Sequence, residues 1–250
     1  SPVKMVARRK NVLLMQPENV NEAQFINQLK AFNPDLFVVV AYGQIFSEAV
    51  LEIPNIAAIN IHASLLPKYR GAAPINWAIA YGETETGLTI IEMNERLDAG
   101  KVLLKKAYPI HSHDTAVSLT DSLSRGETIP GRDQDEASVT SAPKVRKTDG
   151  YMDWSKTAGE LHNWVRAFQP WPCAHTYIKR KMLKVYRSAI TGSENFSKEE
   201  WGRILSCNHD GIRVATGKGV LSLKDVQLEG KKRMNVATFL RGFKLKPNEY

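Results

Sequence analysis

Two apolar runs constrain this chain more than any other feature. Leu36-Phe37-Val38-Val39-Val40-Ala41 contains no polar residue, and Ile56-Ala57-Ala58-Ile59-Asn60-Ile61-His62 turns polar only near its end. Short apolar runs rich in β-branched residues read as buried strands, and the first, being continuous, as a parallel strand covered on both faces. Helical signals lie around them. Asn21 to Ala31 carries Phe25 and Leu29 at near-helical spacing, with Phe32 just beyond, and stops at the turn signal Asn33-Pro34. Pro74 opens a short helix through Tyr81, with Gly82 as its stop, and Gly87 to Met93 reads as the next strand. This alternation predicts an α/β domain with a doubly wound, mostly parallel sheet.

The polar ends of these strands carry the candidate chemistry. Side chains two apart on a strand share a face, so Asn60 and His62 point into one space. Asp98, in Leu97-Asp98-Ala99-Gly100, lies in the turn after the next strand and can return to the same crevice. Open α/β sheets bind ligands in the crevice at the carboxyl ends of their strands. An amide, an imidazole and a carboxylate gathered there can stabilise an oxyanion and move a proton during acyl transfer. Taken singly, each has a plainer reading: Asn60 as a cap, His62 as a core histidine, Asp98 as an ordinary turn residue. Tyr42-Gly43 follows the first run, where a glycine lets backbone approach a ligand closely.

Residues 60–74 read Asn-Ile-His-Ala-Ser-Leu-Leu-Pro-Lys-Tyr-Arg-Gly-Ala-Ala-Pro. With Gly87-Leu88-Thr89, Leu97-Asp98-Ala99-Gly100, Ala142-Pro143-Lys144, Pro170-Trp171-Pro172 and Phe239-Leu240-Arg241-Gly242, this resembles the folate-dependent formyltransferases over nearly the whole chain. The resemblance implies formyl transfer from 10-formyl-tetrahydrofolate to an amine. The members most similar to this chain take the α-amino group of methionyl initiator tRNA as acceptor. In that reading Asn60 and His62 donate to the developing oxyanion, and Asp98 holds the imidazole tautomer and helps relay a proton. Neither a metal nor a covalent enzyme intermediate is needed. Ser64, Leu65, Leu66 and Pro67 are implied folate contacts, with Tyr42 and Gly43 beside the same ligand. Arg70, with Lys68, is placed to steer an anionic folate tail or tRNA phosphates, with solvated loop charges as the plainer reading. An amino-sugar formyltransferase, a formyl-tetrahydrofolate hydrolase or a catalytically silent RNA-binding protein are the competing readings.

Charge separates the chain into two parts. The net charge is +8, and residues 158–250 hold 17 of the 34 Lys and Arg but only 8 of the 26 Asp and Glu. Lys179-Arg180-Lys181 and Lys231-Lys232-Arg233 are therefore candidate contacts to a nucleic-acid backbone. The expected organisation is a catalytic domain over 1–127, a Pro-, Gly- and Ser-rich linker over 128–156, and a basic carboxyl-terminal β-barrel over 157–250 that binds tRNA. Ser155 is the expected cap of the helix that opens this last part, and Asp114 the cap of a helix after His111-Ser112-His113. No apolar run reaches the roughly 20 residues of a membrane-spanning helix. Two cysteines suit a reducing compartment, so a cytoplasmic location is expected, and separately a monomer. The resemblance also implies a strand, a glycine loop, a helix and a second strand ahead of Ser1, and a longer apolar helix around Asp121 to Glu127. Both departures are expected to be segments of a longer protein.

Overall fold

The structure is a computed structural model that describes residues 2–124 and 134–247. Its first half contains α1 (Pro2–Arg9), α2 (Ala23–Ala31), β1 (Leu36–Val39), α3 (Glu48–Leu51), β2 (Ala57–His62), α4 (Pro74–Ala80), β3 (Glu85–Glu92), β4 (Val102–Pro109) and α5 (Ala116–Leu123). The strands form one sheet in the order β1-β2-β3-β4. β1 and β2 are parallel, with Val39 opposite Asn60, whereas β2–β3 and β3–β4 are antiparallel, with His62 opposite Thr89. Among the described residues the sheet is thus mixed. The helix between β2 and β3 does not carry the chain back to restart in the same direction, and a helix-free loop joins β3 to β4, which suffices for antiparallel neighbours.

The first apolar run is not covered on both faces. Phe37 and Val39 pack against Val20, Phe46 and Val50 beneath α2 and α3. Leu36, Val38 and Val40 are exposed on the other face. Composition reports apolarity, whereas the neighbours present decide how many faces are covered.

The second half contains α6 (Ala158–Ala167), β5 (Ala174–Ile178), β6 (Lys181–Asn195), β7 (Ile204–Asn208), β8 (Gly211–Ala215), β9 (Lys218–Leu228), β10 (Met234–Asn235) and α7 (Val236–Gly242). The antiparallel order is β5-β6-β9-β8-β7, with β10 paired to β9. Register shifts at Val185/Arg187 and Ile190/Gly192 bend β6. One core collects Leu161 and Val165 of α6, Phe239 of α7, and Val185, Val214, Leu221 and Val226 of the strands. The small barrel is open between β5 and β7 among the described residues.

Both helix caps fall elsewhere than expected. Thr157, not Ser155, caps α6: its hydroxyl accepts from the Glu160 amide at 3.2 Å, and Glu160 Oε2 accepts from the Thr157 amide at 2.8 Å. Ser155 instead donates to Asp153 at 2.7 Å. Thr115 caps α5, while Asp114 closes the preceding turn by accepting from the His111 amide at 2.9 Å. The Ser124–Arg125 junction lies outside the described residues.

The halves meet where α4 packs on α6. Phe168 is fully buried between Trp77 and Trp164, at ring distances of 5.6 and 4.9 Å. Asn76 donates to the Ala167 carbonyl at 2.7 Å, and Arg166 donates to the carbonyls of His111 and Asp114 at 3.2 and 2.9 Å. His162 sits on this seam, half-buried, with Nδ1 3.0 Å from Ser188 Oγ. Burial pushes its pKa below 6.5, and nearby Arg166 adds to the shift, against a hydrogen bond with the Ser112 backbone.

The folded state therefore resists a proton that the unfolded chain takes up near the ordinary histidine value. Stability should fall as the pH drops below about 6.5, before the depressed carboxylates Asp153, Glu160 and Glu200 begin to contribute. Urea midpoints measured at several pH values should show this decline, and His162→Gln should flatten it.

Candidate active site

β2 delivers Asn60 and His62 to one face, as strand alternation requires. The β3–β4 loop delivers Asp98 from the other side, with a backbone φ of 49°. Asn60 Nδ2 donates to Asp98 Oδ1 at 3.3 Å, and His62 Nδ1 lies 3.6 Å from Asp98 Oδ2. The Gly71 amide donates to Asp98 Oδ2 at 2.9 Å. The His62 and Asp98 side chains are only 6% and 10% exposed, so the carboxylate needs these donors in place of water.

His62 Nε2 is 2.8 Å from the Tyr69 carbonyl oxygen. A carbonyl can only accept, so Nε2 carries a hydrogen, and Nδ1 is left as the nitrogen facing Asp98. Tyr69 holds its own unusual backbone, φ 62°, by burial and by donating its hydroxyl to Glu83 at 2.8 Å. Burial, reinforced by Glu83, pushes the phenol far above its ordinary pKa, so it stays a donor.

The three polar tips open onto one cavity of about 950 Å³, a size suited to a small-molecule ligand. Tyr42 and Gly43 line it from the β1 end, Leu88, Ile90 and Leu104 from the sheet, and Thr120, Leu123 and the following Ser124 from the α5 side. Ser64, Leu65, Leu66 and Pro67, expected to touch folate, are not among its lining residues. Leu66 is fully buried against Ile91 and Val102, and Ser64 is occupied in donating to the Lys68 carbonyl at 2.6 Å. The polypeptide here turns away from the cavity to build the floor under β3.

Arg70 also differs from expectation. Its side chain is 11% exposed and is bonded to Gln134 and to Glu136, both at 2.8 Å at closest. Its hydrogen bond holds the Glu136 carboxyl below its ordinary pKa. These partners belong to the stretch read as linker, whose residues 134–145 are instead a strap across the first half. Thr140 accepts from the Tyr69 amide at 2.8 Å, Ala142 is fully buried, and Trp77 donates to the Pro143 carbonyl at 2.7 Å. Sequence pattern gives no signal for the strap, because Pro-, Ser- and Thr-rich composition is the same in a packed strap and in a tether.

The two basic clusters come together. Lys179 and Arg180 form the β5–β6 turn, with left-handed φ of 47° and 63°. Lys231, Lys232 and Arg233 lie between β9 and β10. Leu183 is paired with Leu228, and the Glu229 amide donates to Met182 at 2.9 Å, so both turns, with Lys181 between them, sit at one end of the sheet. All six cations are exposed. Lys179 also donates to the Lys244 carbonyl, and Arg233 stacks over Tyr186 beside Asp225.

Known proteins share this organisation. A family model described as formyl transferase matches residues 1–129, and one described as formyl transferase, C-terminal domain, matches 144–244. The methionyl-tRNA formyltransferase of Citrifermentans bemidjiense is 43% identical over 98% of this chain and 80% of its own length. That of Geobacter sulfurreducens is 42% identical over 98% and 81%. Among solved structures, an N-formyltransferase from Helicobacter canadensis in complex with folinic acid and dTDP-3-aminofucose superposes with a TM-score of 0.62 at 20% identity, covering 88% of this chain and 81% of that one. The methionyl-tRNA formyltransferase of Clostridium thermocellum gives 0.54 at 14% identity over 75% and 87%. At these identities the superpositions speak for the fold.

Gly71 has φ 126°, and an added Cβ would lie 2.5 Å from the Ala142 carbonyl oxygen of the strap. Gly71→Ala should therefore lower stability by roughly 1–3 kcal/mol through backbone strain and displacement of the strap. Chemical denaturation checks this; a wild-type midpoint would show that the strap does not cross so closely.

Proposed function

The chain belongs to the formyl transferase family, and on that footing we propose that it transfers the formyl group of 10-formyl-tetrahydrofolate to the α-amino group of methionyl initiator tRNA. The observation that carries the reading is the junction of Asn60, His62 and Asp98 at one cavity, combined with relatives above 40% identity that carry this activity in their names. Tyr42 and Gly43 line the cavity and are assigned to the folate side. The basic end formed by Arg180, Lys181, Lys231 and Lys232 is assigned to tRNA phosphates, with Lys179 and Arg233 adding charge beside it.

The chemistry follows from the donors. The amine nitrogen attacks the formyl carbon, and the carbonyl oxygen gains the negative charge. Asn60 Nδ2 carries two hydrogens, of which Asp98 engages one, so the other can serve the oxyanion. The amine must lose a proton and the leaving folate nitrogen must gain one as the carbon–nitrogen bond breaks. His62 Nδ1 and Asp98, 3.6 Å apart, form the pair that can pass that proton, directly or through one water. The Tyr69 carbonyl keeps the other ring nitrogen out of this exchange.

Wild-type protein should formylate methionyl initiator tRNA in preference to an amino-sugar nucleotide offered in competition. His62→Ala should lose roughly a hundredfold or more in kcat; equal rates would remove the imidazole from the mechanism. Affinity for tRNA should fall steeply with ionic strength, and neutralising Lys231 and Lys232 together should reduce the log–log slope by about one unit for each phosphate no longer paired with a cation. An unchanged slope would move the tRNA-binding surface elsewhere.

A further inference from the structure

Asp98 is the residue through which the three polar groups meet, and its own loop holds it with only short-range bonds, the Ala99 amide to the Arg96 carbonyl at 3.3 Å and the Arg96 amide to Asn94 at 3.0 Å. Its φ of 49° is a left-handed conformation, one that aspartate tolerates better than most non-glycine residues. The strap adds a longer-range tie to this loop. Gln134 Nε2 donates to the Asp98 carbonyl at 2.9 Å and to the Gly100 carbonyl at 2.8 Å, spanning the loop on both sides of Ala99. Its Oε1 accepts from Arg70 Nε at 3.2 Å and Nη2 at 2.8 Å. Both hydrogens and the carbonyl of this amide are thus committed.

Arg70 is itself anchored. Glu136 accepts from it at 2.8 and 3.2 Å and from Arg96 at 3.1 Å. The Arg70 amide donates to the Thr140 carbonyl at 2.9 Å, and its carbonyl accepts from the Ala142 amide at 2.7 Å. The next residue, Gly71, donates its amide to Asp98 Oδ2. One glutamine side chain therefore joins the main chain that carries the carboxylate to the segment that hydrogen-bonds the carboxylate oxygen. Gln134 is not among the residues that line the cavity.

We propose that Gln134 is a positioning residue for the transfer reaction: it fixes the Asp98 loop so that the carboxylate stays aligned with His62 and Asn60. The proposal rests on the reading of Asp98 as part of the proton-handling pair. A displacement of about 1 Å at a reacting group costs up to about a hundredfold in rate without a matching loss of binding.

The test compares Gln134→Met, Gln134→Glu, Asp98→Asn and the double variant Gln134→Met/Asp98→Asn in steady-state formylation of charged initiator tRNA. Gln134→Met should lower kcat by about tenfold to a hundredfold, with KM for tRNA and for formyl donor within about twofold of wild type. Gln134→Glu keeps an acceptor for Arg70 but sets an oxygen against two carbonyl oxygens, so it should lose at least as much kcat. Because it retains the Arg70 link, it also supplies the readout if the methionine variant fails to fold. In the Asp98→Asn background, Gln134→Met should change kcat by less than about twofold, since residues that act through one another are not additive. Wild-type kcat in both glutamine variants, a loss confined to KM, or a full loss that persists in the Asp98→Asn background would overturn the positioning role. A wild type that formylates no charged tRNA would overturn the assigned reaction and this proposal together, whereas an active wild type with unaffected variants overturns the proposal alone.

Discussion

A carboxylate that is nine-tenths buried must be supplied with donors by the protein, and the site is organised around that requirement at Asp98. Its donors come from two separate places, the Asn60 amide at the end of β2 and the Gly71 backbone in the loop after it, with His62 Nδ1 facing it at 3.6 Å. None is close to it in sequence. The sheet must therefore be correctly paired before the carboxylate is satisfied, and an unsatisfied carboxylate opposes any misregistered pairing. Folding of this half and assembly of the site are one process.

The strap extends the same logic to the second half. Residues 134–145 cross the segment 69–74, bury Ala142, and receive the indole hydrogen of Trp77 before the chain continues to α6. Trp77 also packs against Phe168 and Trp164 on the seam between the halves. The main chain that aligns the polar trio and the aromatic cluster that joins the two halves therefore share side chains. A connection that composition describes as a spacer is a structural member of both halves.

Charge divides along a different line. Residues 1–157 hold 17 Lys and Arg against 18 Asp and Glu, and the positive excess belongs to the second half. Within that half the fold concentrates it: two cationic turns far apart in the chain share one end of the sheet because β6 pairs with β9 along its length. A polyanion drawn to that end meets a focused field rather than a dispersed one. The near-neutral first half leaves the cavity to be recognised by shape and by its few polar groups.

Local signals carried much of this. Strand alternation put Asn60 and His62 on one face, the stop at Gly82 and the turn before Asp98 were readable, and charge counting located the basic half. These features depend on residues near one another in sequence, where steric preference and periodicity act. Other features depend on which neighbours the fold brings up. Only the tertiary structure decided that Leu66 packs against Ile91 and Val102, that Arg70 is turned inward to Gln134 and Glu136, that β1 has an exposed face, and that residues 134–145 pack as a strap across the first half. Side-chain chemistry is identical in either role, and burial and partners, which settle it, are properties of the folded chain alone.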